Sequence, residues 1–198
     1  MNDWIEEAKI ILKRSLNPIP HELNELDWKS DVSDKGDRIA QHISAFANNI
    51  NGGYLVFGLN DDASFCHLDK DKTDEIIKKI GNIARNNITP PVAIEHDITV
   101  LDSNEVLIIK IPESTYKPVY LRGKTIDDSY KRSAGQTVKM SKQEVKNLIS
   151  ISIGIDLINP LNINTESPEP NPRYKNIIPT GLFKCSVSAT FIVGNITI

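Results

Sequence analysis

The chain has no uninterrupted apolar run of eighteen residues, the length a membrane-spanning helix needs, so no membrane partner is expected. Cysteine is nearly absent. Cys66 and Cys185 are the only two, and their wide separation excludes both a disulfide framework and a Cys-x-x-Cys metal knuckle, leaving two reduced thiols. Also missing are a Gly-x-Gly-x-x-Gly fingerprint and a glycine loop followed by Lys-Ser or Lys-Thr, so no nucleotide cofactor is expected and ATP hydrolysis ranks last among the readings. The start, MNDWIEEAK, is acidic and amphipathic rather than basic-then-apolar, which predicts a cytoplasmic protein. The four histidines, His21, His42, His67 and His96, show no metal-ligand spacing.

An overall basic excess is lacking too, since the formal net charge is -3, but the charge is unevenly spread. Residues 1–109 hold 11 Lys/Arg against 19 Asp/Glu, whereas residues 110–150 hold 9 against 4. A basic stretch on an acidic domain reads as a phosphate-facing patch beside an acidic site, or as ordinary alternation of charge on a soluble surface.

Apolar periodicity predicts a helix over 3–15, closed by Pro18 and Pro20, and a second over 34–49 with Ile39, Ile43, Phe46 and Ile50 as its stripe. Asn48, Asn49, Asn51, Gly52 and Gly53 stop that helix, because glycine reaches left-handed angles cheaply and asparagine tolerates them. The near-continuous apolar run Tyr54 to Leu59 predicts a strand covered on both faces. A helix over 73–86 follows, then hairpin strands over 94–100 and 106–111 around Asp102-Ser103-Asn104. Short strands are predicted at 119–121 and 128–132 around the Arg122-Gly123 turn. Ser141 with Glu144 three residues on forms a capping box that opens the last helix. This is an α+β domain with a mixed sheet flanked by helices. After Ser150 the residues turn Ile-, Asn- and Pro-rich, and Lys184 to Val193 alternates as a strand does. The predicted organisation is an N-terminal helix (1–16), a core (17–150) and a C-terminal β-rich extension or small second module (151–198), whose strands offer a route to a homodimer or larger assembly.

Glu22, Asp27 and Lys29 are the first candidates for chemistry. On a strand Asp27 and Lys29 share a face; Glu22 joins them if a bend intervenes or if it lies in the loop before the strand. Two carboxylates and a lysine suit phosphodiester chemistry, with the carboxylates holding Mg²⁺ or Mn²⁺ and the lysine neutralising phosphate charge. Asp61 or Asp62, beyond the YLVFGLN strand, would supply the remaining ligand if that strand neighbours Asp27. Equally, acid–lysine pairs decorate any soluble strand. Tyr130, Lys131, Arg132 and Lys139 are the candidates for meeting a nucleic-acid backbone and stacking a base, or for ordinary half-buried strand positions with charge outside. Gly52-Gly53 lies between a helix and the strand after it. A phosphate cradle has the opposite order, so these glycines read as a tight reversal.

Residues 22–29 (ELNELDWK), 44–58 (SAFANNINGGYLVFG), 112–120 (PESTYKPVY) and 130–145 (YKRSAGQTVKMSKQEV) together resemble the Schlafen AlbA-like domain over about residues 17–150. The resemblance implies nucleic-acid binding, with RNA or DNA as the partner, and for some members metal-dependent cutting of tRNA or rRNA. In the cutting members two acids before the strand's lysine and one after the Gly-Gly strand form the site. Glu22 and Asp27 match the first two, Asp27 standing where glutamate is usual, and Asp61 or Asp62 matches the third. Glu22, Asp27 and Asp61 are then the metal ligands. A second departure is Arg132-Ser-Ala-Gly135, one residue longer than the usual Arg-x-Gly. Three readings follow: a nucleic-acid-binding module using the basic 110–150 region, a divalent-metal-dependent endoribonuclease, and a non-catalytic assembly subunit of a regulatory or phage-defence system.

Overall fold

The computed structural model describes residues 3–32 and 36–158, with side chains described as far as residue 152. Helix α1 (Asp3–Leu16) is followed by β1 (Leu26–Lys29), α2 (Gly36–Asn48), β2 (Gly53–Phe57), α3 (Lys70–Asn86) and the short β3 (Ile88–Thr89). Then come β4 (Glu95–Leu101), β5 (Asn104–Ile111), β6 (Tyr120–Leu121), one 3-10 turn, β7 (Tyr130–Ser133), β8 (Gln136–Lys139) and α4 (Lys142–Ile158). The main sheet has the order β1-β2-β5-β4 and is mixed: β1 runs parallel to β2, and the other pairs are antiparallel. Two small antiparallel pairs, β3 with β6 and β7 with β8, complete the strands.

The period of two along each strand sorts the core into two layers. Leu55 and Phe57 of β2 and Leu107, Ile109 and Ile111 of β5 face α2 and α3, meeting Ile39, Ile43, Phe46, Ile76 and Ile80. The alternate residues Tyr54, Val56, Val106 and Ile108, with Leu26 and Trp28 of β1, face Ala8 and Leu12 of α1. Both faces of β2 are therefore covered, as its apolar run predicts.

α2 is the crossover of a parallel β1-α2-β2 unit, and its return to the sheet is the tight reversal expected at Asn48 to Gly53. Gly52 takes φ +73, and a Cβ there would come within 2.2 Å of the Ile111 carbonyl oxygen. A Cβ on Gly53 would lie 2.1 Å from the Phe46 ring. Only hydrogen fits at either position, because helix and sheet backbone close on this turn from both sides. The helix stops at Asn48, so Ile50, expected in the α2 stripe, is instead 74% exposed.

Other corrections are local. Residues 119–121 and 128–132 meet around Arg122-Gly123 only through a single antiparallel bridge, Tyr120 to Ser129, and build no ladder there. β6 pairs with β3 instead, and β7 turns back through Ala134-Gly135 onto β8, a strand the sequence reading missed. Ala134 and Gly135 have φ 50 and 77, the left-handed pair that a two-residue hairpin turn demands. The extra residue between Arg132 and Gly135 thus completes a regular hairpin. The capping box at Ser141 and Glu144 forms as expected, but α4 runs on to Ile158 rather than ending near Ser150. Eight residues assigned to a β-rich extension are therefore helical; the remainder of that extension, 159–198 with its predicted strand at 184–193, lies outside the described residues. No helix among the described residues is long and apolar enough to cross a membrane.

Candidate nucleic-acid interface and its buried charge cluster

β1 is an edge strand of only four residues, and its even-numbered members Leu26 and Trp28 are spent on the α1 layer. Asp27 consequently points into the α2 layer and is fully buried. A carboxylate in such a place costs several kcal/mol of lost hydration unless it is ionically paired and hydrogen-bonded. Three donors meet that demand. Lys29 Nζ donates to Oδ1 at 2.6 Å, while Arg132 and His42 Nδ1 approach Oδ2 at 3.0 and 2.9 Å. His42 comes from the inner face of α2 and is 3% exposed; Arg132 comes from β7, 105 residues away in sequence.

Arg132 is the hub. Its guanidinium also donates to Thr137 Oγ1 at 2.9 Å and to the backbone oxygens of Gly135 and Leu23, and it lies 4.9 Å from the centre of the Phe46 ring. Gly135 N–H donates to Asn24 Oδ1 at 3.0 Å, and a Cβ at Gly135 would fall 2.4 Å from the Glu22 carbonyl oxygen. The turn end of the β7–β8 hairpin is therefore locked twice, by Arg132 onto Asp27 of β1 and the Leu23 carbonyl, and by Gly135 onto the loop that precedes β1.

Glu22 lies in that loop, not on the strand, and converges with Lys29 at 3.6 Å and Arg132 at 3.8 Å. The alternative posed from sequence, a loop position before the strand, is the one adopted. Burial, together with a hydrogen bond to the neighbouring Asp27 carboxyl and its charge, raises the Glu22 pKa from 4.5 to about 7. Asp27 moves the opposite way: despite its desolvation, His42 and Lys29 hold its carboxyl well below the usual aspartate range. Burial also depresses the pKa of His42, which keeps it neutral at pH 7, with Nδ1 facing the carboxylate. The pair is thus one firmly ionised acid beside one that titrates near neutrality.

Asp61 and Asp62 do not join this cluster. They sit in an exposed turn between Leu59 and Phe65, and Leu59 and Phe65 both pack in the α1 layer, on the opposite side of the sheet from Asp27. Asp62 accepts from the backbone and hydroxyl of Ser64, which lowers its carboxyl pKa. Neither acid forms a hydrogen bond or ion pair with Glu22, Asp27 or Lys29 among the described residues, and no group of three or more His, Cys, Asp or Glu among them is arranged to hold a metal ion. The donor chemistry argues the same way. Both Asp27 oxygens already accept from N–H donors, two of them full cations, and Glu22 faces the same two cations. A divalent cation at this point would have to share or displace those donors. Asp61 stands apart from Glu22 and Asp27, so the three expected ligands are not gathered on one point among the described residues.

The basic candidates divide. Arg132, expected to meet a nucleic-acid backbone, has a fully buried side chain, and its charge is consumed inside the domain. Lys131 and Lys139 stay at the surface of the hairpin, paired with Glu144 of α4 and with Asp128 respectively. Tyr130 is half-buried against the α2 layer. Lys29, at the mouth of the cluster, retains 23% side-chain exposure.

Sequence reasoning missed three contributors: His42, Thr137 and Asn48. Asn48 donates to the Val119 and Tyr130 carbonyls at 2.8 and 3.0 Å and accepts from Val119 N–H at 2.7 Å. Ser44, one turn earlier, donates to Val119 O and accepts from Tyr130 N–H. The signal was present as i, i+4 spacing: Ser44 and Asn48 lie on one face of α2, and His42 on a buried face where a polar residue requires a partner.

A family model described as Schlafen, AlbA_2 matches residues 22–141, which takes in every residue of the cluster. No curated protein matches the chain. Among solved structures, the chain is similar to the DIP2311 protein from Corynebacterium diphtheriae, with 15% identity and a TM-score of 0.50 over 73% of this chain. The match covers 27% of that protein's length, and at this identity it speaks to fold alone. It is also similar to the N-terminal domain of a RecG-related protein from Nitrosomonas europaea, with 20% identity and a TM-score of 0.48 over 68% of this chain and 93% of that one.

Proposed function

The chain belongs to the Schlafen AlbA_2 family, and from that membership we propose that it is a nucleic-acid-binding protein that meets RNA or DNA backbone with the β7–β8 hairpin and the adjoining mouth of the charge cluster. The observation that carries this reading is the Arg132–Asp27 lock. A buried ion pair, reinforced by Gly135 packed on the Glu22 backbone, fixes this basic hairpin beside Lys29. Fixed geometry is what a phosphate-tracking surface requires, because ordering a loose hairpin on binding would subtract from affinity.

In this reading Lys131 and Lys139 contact phosphates and Tyr130 flanks them. Arg132 acts through them as a positioning residue. Both lysines are held at rest in exposed ion pairs, which are worth little and exchange readily for phosphate. The cutting alternative would require Glu22 and Asp27 to shed their cationic partners and to recruit a third acid from the far layer. No contact among the described residues favours it.

The test is fluorescence anisotropy with a labelled single-stranded RNA and a DNA duplex of matched length, titrated at several salt concentrations. The Lys131→Glu/Lys139→Glu variant is expected to weaken binding at least about tenfold and to reduce the slope of log K against log salt by about 2. Affinity and slope both unchanged would overturn the proposal. Incubating the same protein with tRNA and Mn²⁺ reads the cutting alternative directly.

A further inference from the structure

β4 is the other edge of the main sheet, and its second half is uncharged. Natural edge strands are kept from pairing by charged side chains, lysine above all, and by proline, bulges or brevity. β4 is seven residues long, EHDITVL, with no lysine, proline or bulge, and it carries Ile98 and Val100 at 53% and 59% exposure. Among the described residues it has a neighbour on one side only.

Which backbone groups face outward follows from its hairpin. Leu101 pairs with Asn104 across a two-residue turn whose Asp102 and Ser103 have φ 48 and 68. In such a turn the flanking pair exchanges both hydrogen bonds, so Leu101, Thr99 and Asp97 bond inward to β5. His96, Ile98 and Val100 then present their N–H and C=O groups to the outside. One contact corroborates this phase: Ile98 N–H is covered by the neighbouring Asp97 carboxylate at 2.8 Å, which is possible only if it points away from β5.

A second strand must therefore bond to residues 96, 98 and 100, and for a second copy of this chain only a few antiparallel registers remain. A two-fold axis at Asp97 sets like charges face to face. An axis at Ile98 pairs Ile98 with itself but leaves each Val100 against His96. An axis at Thr99 pairs Ile98 with the partner's Val100 twice over, as hydrogen-bonded pairs, sets the two Thr99 side chains opposite each other on the other face, and brings no acid against an acid. We propose that β4 is a self-association edge, and that two copies of this chain join their β4 strands antiparallel about Thr99 to make one continuous sheet. The four clustered Ile98 and Val100 side chains are the apolar centre of that contact. A hollow of about 320 Å³ beside Ile98 has Leu68, Val106 and Leu107 on its floor and Lys70, Asp74 and Glu105 around it, so the apolar strip continues a short way onto each sheet within a charged rim.

The test uses the full chain in sedimentation equilibrium over roughly 1 to 300 µM, since an interface of this size gives a dimer that dilutes apart. A reversible dimer is expected, and Ile98→Lys with Val100→Lys should weaken it at least about tenfold while circular dichroism stays unchanged, both side chains being exposed. The register is read by cysteine cross-linking in a Cys66→Ser/Cys185→Ser background. Thr99→Cys, at a non-hydrogen-bonded pair with Cα atoms about 4.5 Å apart, should oxidise to a covalent dimer, and Asp97→Cys should not. A monomer at every concentration, with the edge left to another segment or partner, overturns the proposal. So does a dimer indifferent to the lysine substitutions, and cross-linking through Asp97→Cys instead of Thr99→Cys overturns the register.

Discussion

The lock between Asp27 and Arg132 admits a quantitative test. Both side chains are fully buried, so removing one partner strands the other's charge without water, a situation that costs about 3–5 kcal/mol. Asp27→Asn keeps the shape and removes the charge. Arg132 retains Thr137, Gly135 O and Leu23 O as acceptors but loses its anion, whereas Lys29, partly exposed, can turn to solvent. Arg132→Met removes the other half, leaving Asp27 with Lys29 and His42, and should fall at the lower end of that range. Because each single change destroys the same interaction, the double variant should lose about 1.5–3 kcal/mol less than the sum of the singles. Urea unfolding is the assay. With a slope of about 2 kcal/mol/M, the Asp27→Asn midpoint should drop by roughly 1.5–2.5 M at unchanged slope. Losses below about 1 kcal/mol for both singles, or a double variant additive within about 0.5 kcal/mol, would refute the claim that these charges are buried against each other.

Glu22 has a folded pKa near 7 against 4.5 unfolded, so its contribution to stability is fully present below pH 4.5 and is lost as pH rises toward 7. Glu22→Gln should therefore match the parent at pH 4, become the more stable of the two by pH 8, and open that gap across pH 4.5–7 in thermal melts; a gap independent of pH would contradict the assignment. Asn48→Ala deprives Val119 N–H and Tyr130 O of their partner in a buried place and should cost about 3 kcal/mol, whereas an exposed asparagine such as Asn86 should cost under about 0.5 kcal/mol in the same urea assay. Gly53→Ala drives a methyl into the Phe46 ring and should cost at least about 1–3 kcal/mol; a neutral result would mean that α2 and β2 do not close as tightly as described.

The elements legible in the sequence are those written in local periodicity. The α1 stripe, the all-apolar β2, the β4–β5 hairpin and the Ser141 capping box each depend on neighbours within a few residues. What was illegible depends on pairing across the chain. Residues 119–121 and 128–132 read as a hairpin because they are adjacent, yet they share only the Tyr120–Ser129 bridge, while β6 pairs back to β3 and β7 forward to β8, choices made by packing on α2 rather than by propensity. Ile50 fitted the helical period of α2 and still ends outside, because Asn48 is held by three hydrogen bonds and the chain must leave the helix there. Site residues behaved alike. Glu22, Asp27 and Lys29 were found because they lie within eight residues; Arg132 was found but placed on the wrong side of the surface, and His42 was dismissed for lacking a ligand spacing when its partner was one carboxylate.

The shorter acid at position 27 gives these facts a common cause. Asp27 stands where the family resemblance leads one to expect glutamate, and its carboxylate is held on a short arm within 3.0 Å of both Arg132 and His42. A longer arm would carry the carboxylate past the guanidinium toward the mouth, where Glu22 and Lys29 lie. With aspartate the charge stops where Arg132 enters beside the hairpin turn. An open carboxylate serves a metal site; a locked hairpin serves a binding surface. On the proposed reading the lysines left outside, rather than the acids within, carry the affinity for a polyanion.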